Sequence, residues 1–130
     1  MAVAVCAGLS ACKPSPESAV GPDQLPHPKA GLWHWSSKSG AGQICLAGHV
    51  PSALAERPGC PVTRRVRLAD GAFLVEAACD GAAATRTRAK ASGDYASAFS
   101  LDVTIGDVSD HVAYRYLGPC PPGHATDDGP

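Results

Sequence analysis

An all-β fold is what this sequence predicts: an antiparallel up-and-down meander of six to seven strands forming a curved sheet or half-barrel, with one short helical turn and two disulfides. Three observations predict it. Between residues 29 and 120, apolar and polar side chains alternate with a period of two, the mark of half-buried strands. Clusters of Gly, Pro and Asp interrupt that alternation at intervals suited to hairpins. Cys45, Cys60, Cys79 and Cys120 are an even set in a body of roughly 90 residues, too small to bury a large core without staples.

The chain opens on an uncharged run of small apolar residues, Ala2 to Leu9, closed by Leu9-Ser10-Ala11-Cys12. A short apolar segment ending in small residues reads as an export signal. A long aliphatic residue, two small residues and a cysteine resemble the processing site of bacterial lipoprotein precursors. The resemblance implies cleavage before Cys12 and acylation of its sulfur and its new amino group. Each buried methylene contributes about 0.8 kcal/mol, so several chains on one residue anchor firmly. Lys13, where an acidic residue would retain a lipoprotein in the inner membrane, implies the outer membrane, facing the periplasm. Residues 1–11 are then a signal segment that carries Cys6 away with it. No basic residue precedes Lys13, so a translation start upstream of Met1 is expected. Residues 12–28, with Pro14, Pro16, Pro22, Pro26 and Pro28, read as an extended, flexible tether. Residues 121–130, rich in Pro, Gly and Asp, read as a flexible tail.

Within the 29–120 body, Trp33 and Trp35 share one strand face, and Gly40-Ala41-Gly42 returns the chain into Gln43 to Ala47, which sets His49 across from Trp33. Pro51 to Glu56 reads as a single helical turn that stops at Pro58-Gly59. Asp70-Gly71 is a two-residue hairpin signal. Folding about it sets Leu68 opposite Phe73, Val66 opposite Val75 and Val62 opposite Cys79. Arg65 and Arg67 then point outward, and Arg64, opposite Ala77, points inward. A loop at Gly81 to Ala83 places Thr85, Thr87, Ala89 and Ala91 inside and Arg86, Arg88 and Lys90 outside. A turn at Ser92-Gly93-Asp94 would set Ala91 against Tyr95 and Thr87 against Phe99. A four-residue loop, Gly106 to Ser109, would set Val103 beside Val112, Leu101 beside Tyr114 and Phe99 beside Tyr116.

Four cysteines allow three disulfide connectivities. In the hairpin register Cys60 and Cys79 are diagonal neighbours, with Gly59 and Pro61 suited to a bulge between them, so the register favours Cys60–Cys79 with Cys45–Cys120. No C-x-x-C spacing exists, which argues against a zinc site. The formal net charge is −1 and the pI about 6.5, so bulk electrostatics drive the chain toward neither nucleic acid nor anionic lipid.

The order of landmarks resembles a known family. Ala30-Gly31-Leu32-Trp33, then Cys45, Cys60 and Cys79, Gly93-Asp94-Tyr95, and Gly118-Pro119-Cys120-Pro121 are similar to the exported bacterial domain-of-unknown-function family numbered 3617. The similarity spans about Lys29 to Pro122. It implies an envelope location and brings no activity, substrate or cofactor with it.

Four groupings are candidates for chemistry. His27, His34, His49, His111 and His124 are scattered, with no H-x-H or H-E-x-x-H pairing, so no metal is expected. No G-x-S-x-G elbow occurs, and Asp107 and Asp110 fall in a turn where Asp serves the backbone, so the chain is expected not to be an enzyme and to need no cofactor. Arg65, Arg67, Arg86, Arg88 and Lys90 would form a basic outer face, with Glu76 among them, able to meet lipid headgroups or an acidic envelope protein. Trp33, Trp35, Tyr95, Phe99, Tyr114 and Tyr116, with Arg64 as one anchoring charge, would line an apolar cleft for a small ligand. Two expectations follow: an envelope-anchored lipoprotein that binds a small apolar ligand, a lipid or a partner, or a structural, stress-related envelope domain with a solid core.

Overall fold

The alternating segments become nine strands in the computed structural model, which describes residues 17–80, 85–123 and 126–127. They are β1 (Glu17–Ala19), β2 (Gly31–Ser37), β3 (Gly40–Leu46), β4 (Val62–Leu68), β5 (Phe73–Cys79), β6 (Thr85–Gly93), β7 (Ala98–Ile105), β8 (Val108–Gly118) and β9 (Thr126–Asp127). One sheet holds all nine in the order β1-β4-β5-β6-β7-β8-β2-β3-β9. Strands β4 to β8 are a meander, and the β2–β3 hairpin docks on its far side against β8. Every pairing is antiparallel except that of β3 with β9. Strands β1 and β9 end the order without pairing to each other, so the sheet is open.

Both expected disulfides are present. Cys45–Cys120 spans 75 residues with its Cα atoms 5.8 Å apart, and Cys60–Cys79 spans 19 with 3.9 Å. The first fastens β3 to the end of β8. The second closes the open end of the β4–β5 hairpin, where a register shift between Val62 and Arg64 supplies the bulge. The helical turn is a 3-10 turn at Ser52–Leu54, entered through Pro51.

Two expectations about chain ends are corrected. Of the proline-rich stretch, residues 17–28 are built into the domain: Glu17–Ala19 pairs with β4, and Pro22–Gln24 is a second 3-10 turn. Leu25, Pro26 and Pro28 are buried. Proline-rich sequence lacks ladder donors, but its rings are apolar and pre-ordered, so they can cover a sheet face at low entropic cost. Residues 12–16, with Cys12, lie outside the described residues. In the expected tail, Thr126–Asp127 adds a short parallel strand to β3.

The turns decide which side chains share a face. The β4–β5 connection is Ala69-Asp70-Gly71, one residue longer than expected: Leu68 N–H donates to Ala72 O (2.8 Å), and Gly71 takes φ +91. That geometry is a turn followed by a glycine bulge. Arg67 therefore faces Phe73, Val66 faces Leu74, and Arg65 faces Val75. An odd slip moves every side chain to the other face. Arg65 and Arg67 consequently share the core face with Phe73 and Val75, and Arg64 shares the outer face with Glu76, the reverse of the expected assignment.

In the rest of the meander the slips are even or none. Cys79 pairs with Thr85, as the expected loop required, although Gly81 to Ala83 lie outside the described residues. Ala91 pairs with Leu101 rather than Tyr95, because the chain turns at residues 94–97 and not at 92–94. Leu101 pairs with Val112, and Ile105 with Val108, because the last hairpin has a two-residue turn, Gly106-Asp107. Both slips keep the apolar stripe on its face. The first hairpin turns at Lys38-Ser39 rather than at Gly40–Gly42, an odd slip that pairs Trp33 with Ile44 and leaves His49 beyond the end of β3, exposed.

The main core cluster sits on one face of the sheet, and Val66 and Leu74 are buried on the other. Trp33, Leu54 and Leu101 are fully buried in the cluster, with Leu25, Val75, Ala89, Ala91, Phe99 and Tyr114 around them. Phe99 stacks on Tyr114 (4.4 Å) and meets Trp33 edge-on (5.0 Å), while Trp33 meets Tyr116 at 5.3 Å. The Trp33 indole donates to Lys29 O (2.9 Å).

Candidate functional site

The aromatic group expected to line a cleft fills the core instead. Trp33, Phe99 and Tyr114 are buried, and Tyr95 packs on Phe99 (5.6 Å) and Phe73 (6.5 Å). Burial pushes the Tyr95 phenol up to about 12, and its hydroxyl has no hydrogen-bond partner among the described residues. Tyr95 stands at φ +61, held in the turn by Asp94. The Asp94 carboxylate accepts from the Ser97 hydroxyl (2.5 Å) and from the backbone N–H groups of Ala96, Ser97 and Ala98. Those bonds, the hydroxyl's first, hold its pKa far below the carboxylate range.

An apolar groove does exist on the core face, displaced from the aromatic end. It holds about 340 Å³ between the 3-10 turn at Ser52–Leu54 and strands β6 to β8. Its floor consists of Ala89, Leu101, Val103 and Val112, and Arg57 stands at its rim. The wall toward the β7–β8 turn is Ile105 and Val108, which are 51% and 66% exposed. The groove follows from residue size: where the stripe carries Trp33, Phe99 and Tyr114 it fills itself, and where it narrows to Ala89, Val103 and Val112 space remains. A second hollow of about 320 Å³ adjoins it across Val112 and Asp110, walled by Trp35, Ile44 and Tyr114. Of the aromatic residues expected at a cleft, Trp35 and Tyr114 line this second hollow.

The sequence missed most of the groove because the expected loop Gly106 to Ser109 took Val108 out of strand β8, and Asp110 was assigned to the turn. The signal was there: Val108, Asp110, Val112 and Tyr114 continue the alternation of the core face, with one carboxylate among them.

The basic face is divided. Arg86, Arg88 and Lys90 do lie on the outer face, but Arg65 and Arg67 do not. Arg67 stands 5.7 Å over the Phe73 ring, and Arg65 Nε is buried without a hydrogen-bond partner among the described residues. The outer row that remains alternates in sign: Glu17 pairs with Arg64, whose Nη1 lies 3.4 Å from Glu76, and Glu76 lies 3.7 Å from Arg88 Nε. Arg64 has a raised pKa through its hydrogen bond to Glu17. Lys90 pairs across the ladder with Asp102.

A shallow polar dish of about 700 Å³ opens on the outer side near the hairpin tips. In it His111 Nδ1 meets Asp102 Oδ1 at 2.5 Å, and Lys38 Nζ donates to Ser109 O at 2.8 Å. His111 and Asp102 are both more than half exposed, and among the described residues no serine hydroxyl meets the other imidazole nitrogen. The pair lacks the nucleophile of a hydrolytic triad. His27 Nδ1 lies 3.1 Å from Gly48 O, far from the dish in sequence, and His124 is outside the described residues. Among the described residues no group of three or more His, Cys, Asp or Glu side chains could hold a metal, and no helix is long and apolar enough to cross a membrane.

Comparison with known proteins gave no match: no family model, no curated protein and no solved structure is similar to this chain.

Proposed function

We propose that this chain is a lipid-anchored protein of the bacterial envelope, facing the periplasm, whose core-face groove binds a small apolar ligand. It acts by binding rather than by catalysis. The observation that carries the reading is the groove itself: about 340 Å³, floored by aliphatic side chains, with Ile105 and Val108 left to solvent. Its volume is at the low end for small-molecule sites, roughly 300–1,000 Å³. Exposed aliphatic side chains beside such a hollow are costly unless something covers them. Two disulfides and the Leu9-Ser10-Ala11-Cys12 pattern support an oxidising compartment and an anchor at Cys12. The ordered cysteines and the Gly93-Asp94-Tyr95 turn, which resemble the exported family 3617, agree with that address. The alternative of a continuous basic interaction face is weakened by the flip of Arg65 and Arg67.

Mass spectrometry of the protein extracted from its own envelope tests both halves. Expected are a chain beginning at an acylated Cys12 and a small apolar molecule that leaves on denaturation. The double variant Ile105→Glu, Val108→Glu, which places charges on exposed groove positions, is expected to keep its fold and lose the molecule. An unmodified Cys12 would overturn the anchor, and undiminished retention by the double variant would overturn the groove.

A further inference from the structure

Asp110 stands out on the core face. It lies on β8 opposite Val103, between Val108 and Val112 in the alternating stripe, where every neighbour in the row is aliphatic. It is half-buried, and it lines the Leu101–Val103 groove, the adjoining hollow walled by Trp35 and Tyr114, and one side of the polar dish that holds Lys38 and His111. Its carboxylate accepts one hydrogen bond, from the backbone N–H of His111 (2.9 Å). Among the described residues no basic side chain lies within ion-pair distance of it. Arg57 and Arg88 line the same groove without pairing with it, Arg88 lying 3.7 Å from Glu76, and the Lys38 ammonium is held on Ser109 O. A carboxylate facing an apolar hollow is costly unless a cation completes it. Trp35 lines the same hollow, and an indole is the other group that favours an ammonium ion in a partly dry site.

We propose that the ligand of this groove is a cationic amphiphile: an aliphatic chain over Leu101, Val103 and Val112, with its ammonium head between Asp110 and Trp35. This rests on the groove reading above and adds the charge of the ligand to it. The charge pattern supports the choice over an anionic lipid at the head-group end, because Asp110 is the one charged residue lining the Trp35 hollow, while of the two arginines that line the groove Arg88 lies 3.7 Å from Glu76 and Arg57 is exposed.

The test uses the oxidised full chain carrying Cys12→Ser, so that acyl chains do not compete, and three probes of equal length: octyltrimethylammonium, octanoate and octanol. Binding is followed by calorimetry and by tryptophan emission. Octyltrimethylammonium is expected to bind about tenfold tighter than octanol, and octanoate more weakly than either. Asp110→Asn is expected to bring the ammonium probe down to the octanol level while octanol binding stays unchanged. Trp35→Leu should reduce the preference in part, and Lys38→Met, which removes a competing cation, should increase it. An ammonium probe no tighter than octanol, or a preference that survives Asp110→Asn, overturns the inference and leaves the groove standing. Failure of all three probes to bind overturns the groove as well.

Discussion

Asp94 and Tyr95 show how much one turn asks of single residues. The Asp94 carboxylate satisfies three backbone donors and a hydroxyl, which lets Tyr95 hold φ +61 and direct its ring inward. Because its pKa is depressed in the folded protein, its stabilisation is present above the ordinary value of 3.8 and is lost as pH falls below it. Asp94→Ala is therefore expected to lower Tm at neutral pH, with the gap to the parent shrinking in acid; thermal melts followed by circular dichroism across that range check it. Tyr95 has the opposite sign. Its phenol is raised from 10.0 to about 12, so stability is complete below 10 and falls between the two values as the unfolded chain ionises first. Tyr95→Phe removes a buried hydroxyl that has no partner, so it should leave Tm unchanged or higher and should abolish that alkaline decline. A third pair of variants reads the β4 register directly. Arg65→Met replaces a guanidinium with a buried, unpartnered Nε and should raise Tm, whereas Arg64→Met breaks contacts to Glu17 and Glu76 and should lower it. The register expected from Asp70-Gly71 alone requires the reverse order.

At the level of elements, strands were legible and the residues joining them were not. Alternation located the bodies of β6, β7 and β8, though it left Ser92–Gly93 and Val108–Ser109 in turns, because the core face needs a side chain every second residue. Turn length left no such trace. The last two hairpins slipped by even numbers and kept their faces, so Phe99, Leu101 and Val103 stayed inside despite wrong partners. The Ala69–Gly71 hairpin slipped by one and exchanged Arg64 with Arg65. Arginine tolerates that ambiguity, since its stem packs on apolar neighbours while its head reaches solvent, so the alternation of β4 was a weak guide. Two glycines test the turns. Gly71, at φ +91 with open space where a Cβ would go, should lose about 1–2 kcal/mol as Ala, from backbone strain alone. Gly93, at φ +134, would set a Cβ 2.5 Å from Ala98 O and from Phe99 Cα, so Gly93→Ala should cost about 3 kcal/mol or more. Urea midpoints of the two variants should differ accordingly.

Across the whole molecule, the two disulfides offset a small core. Chain-entropy arithmetic assigns about 4.5 kcal/mol to the 75-residue span and about 3 kcal/mol to the 19-residue span. Cys45→Ala/Cys120→Ala should therefore lower the denaturant midpoint more than Cys60→Ala/Cys79→Ala, and reducing the parent should lose more than either. Both pairings were legible, since one follows from a single hairpin and the other is what remains. The placement of β2–β3 against β8 and of residues 17–28 in the fold was not, because edge pairing depends on which apolar surface is still uncovered once the meander has formed. By itself the sequence determined the β class, the strands, the disulfides and an apolar face. Only the tertiary structure decided that the aromatics fill the core, that the groove lies over Ala89, Val103 and Val112, and that Asp110 faces it. Alternation records which residues leave water, and it holds no information on how large the space between them is.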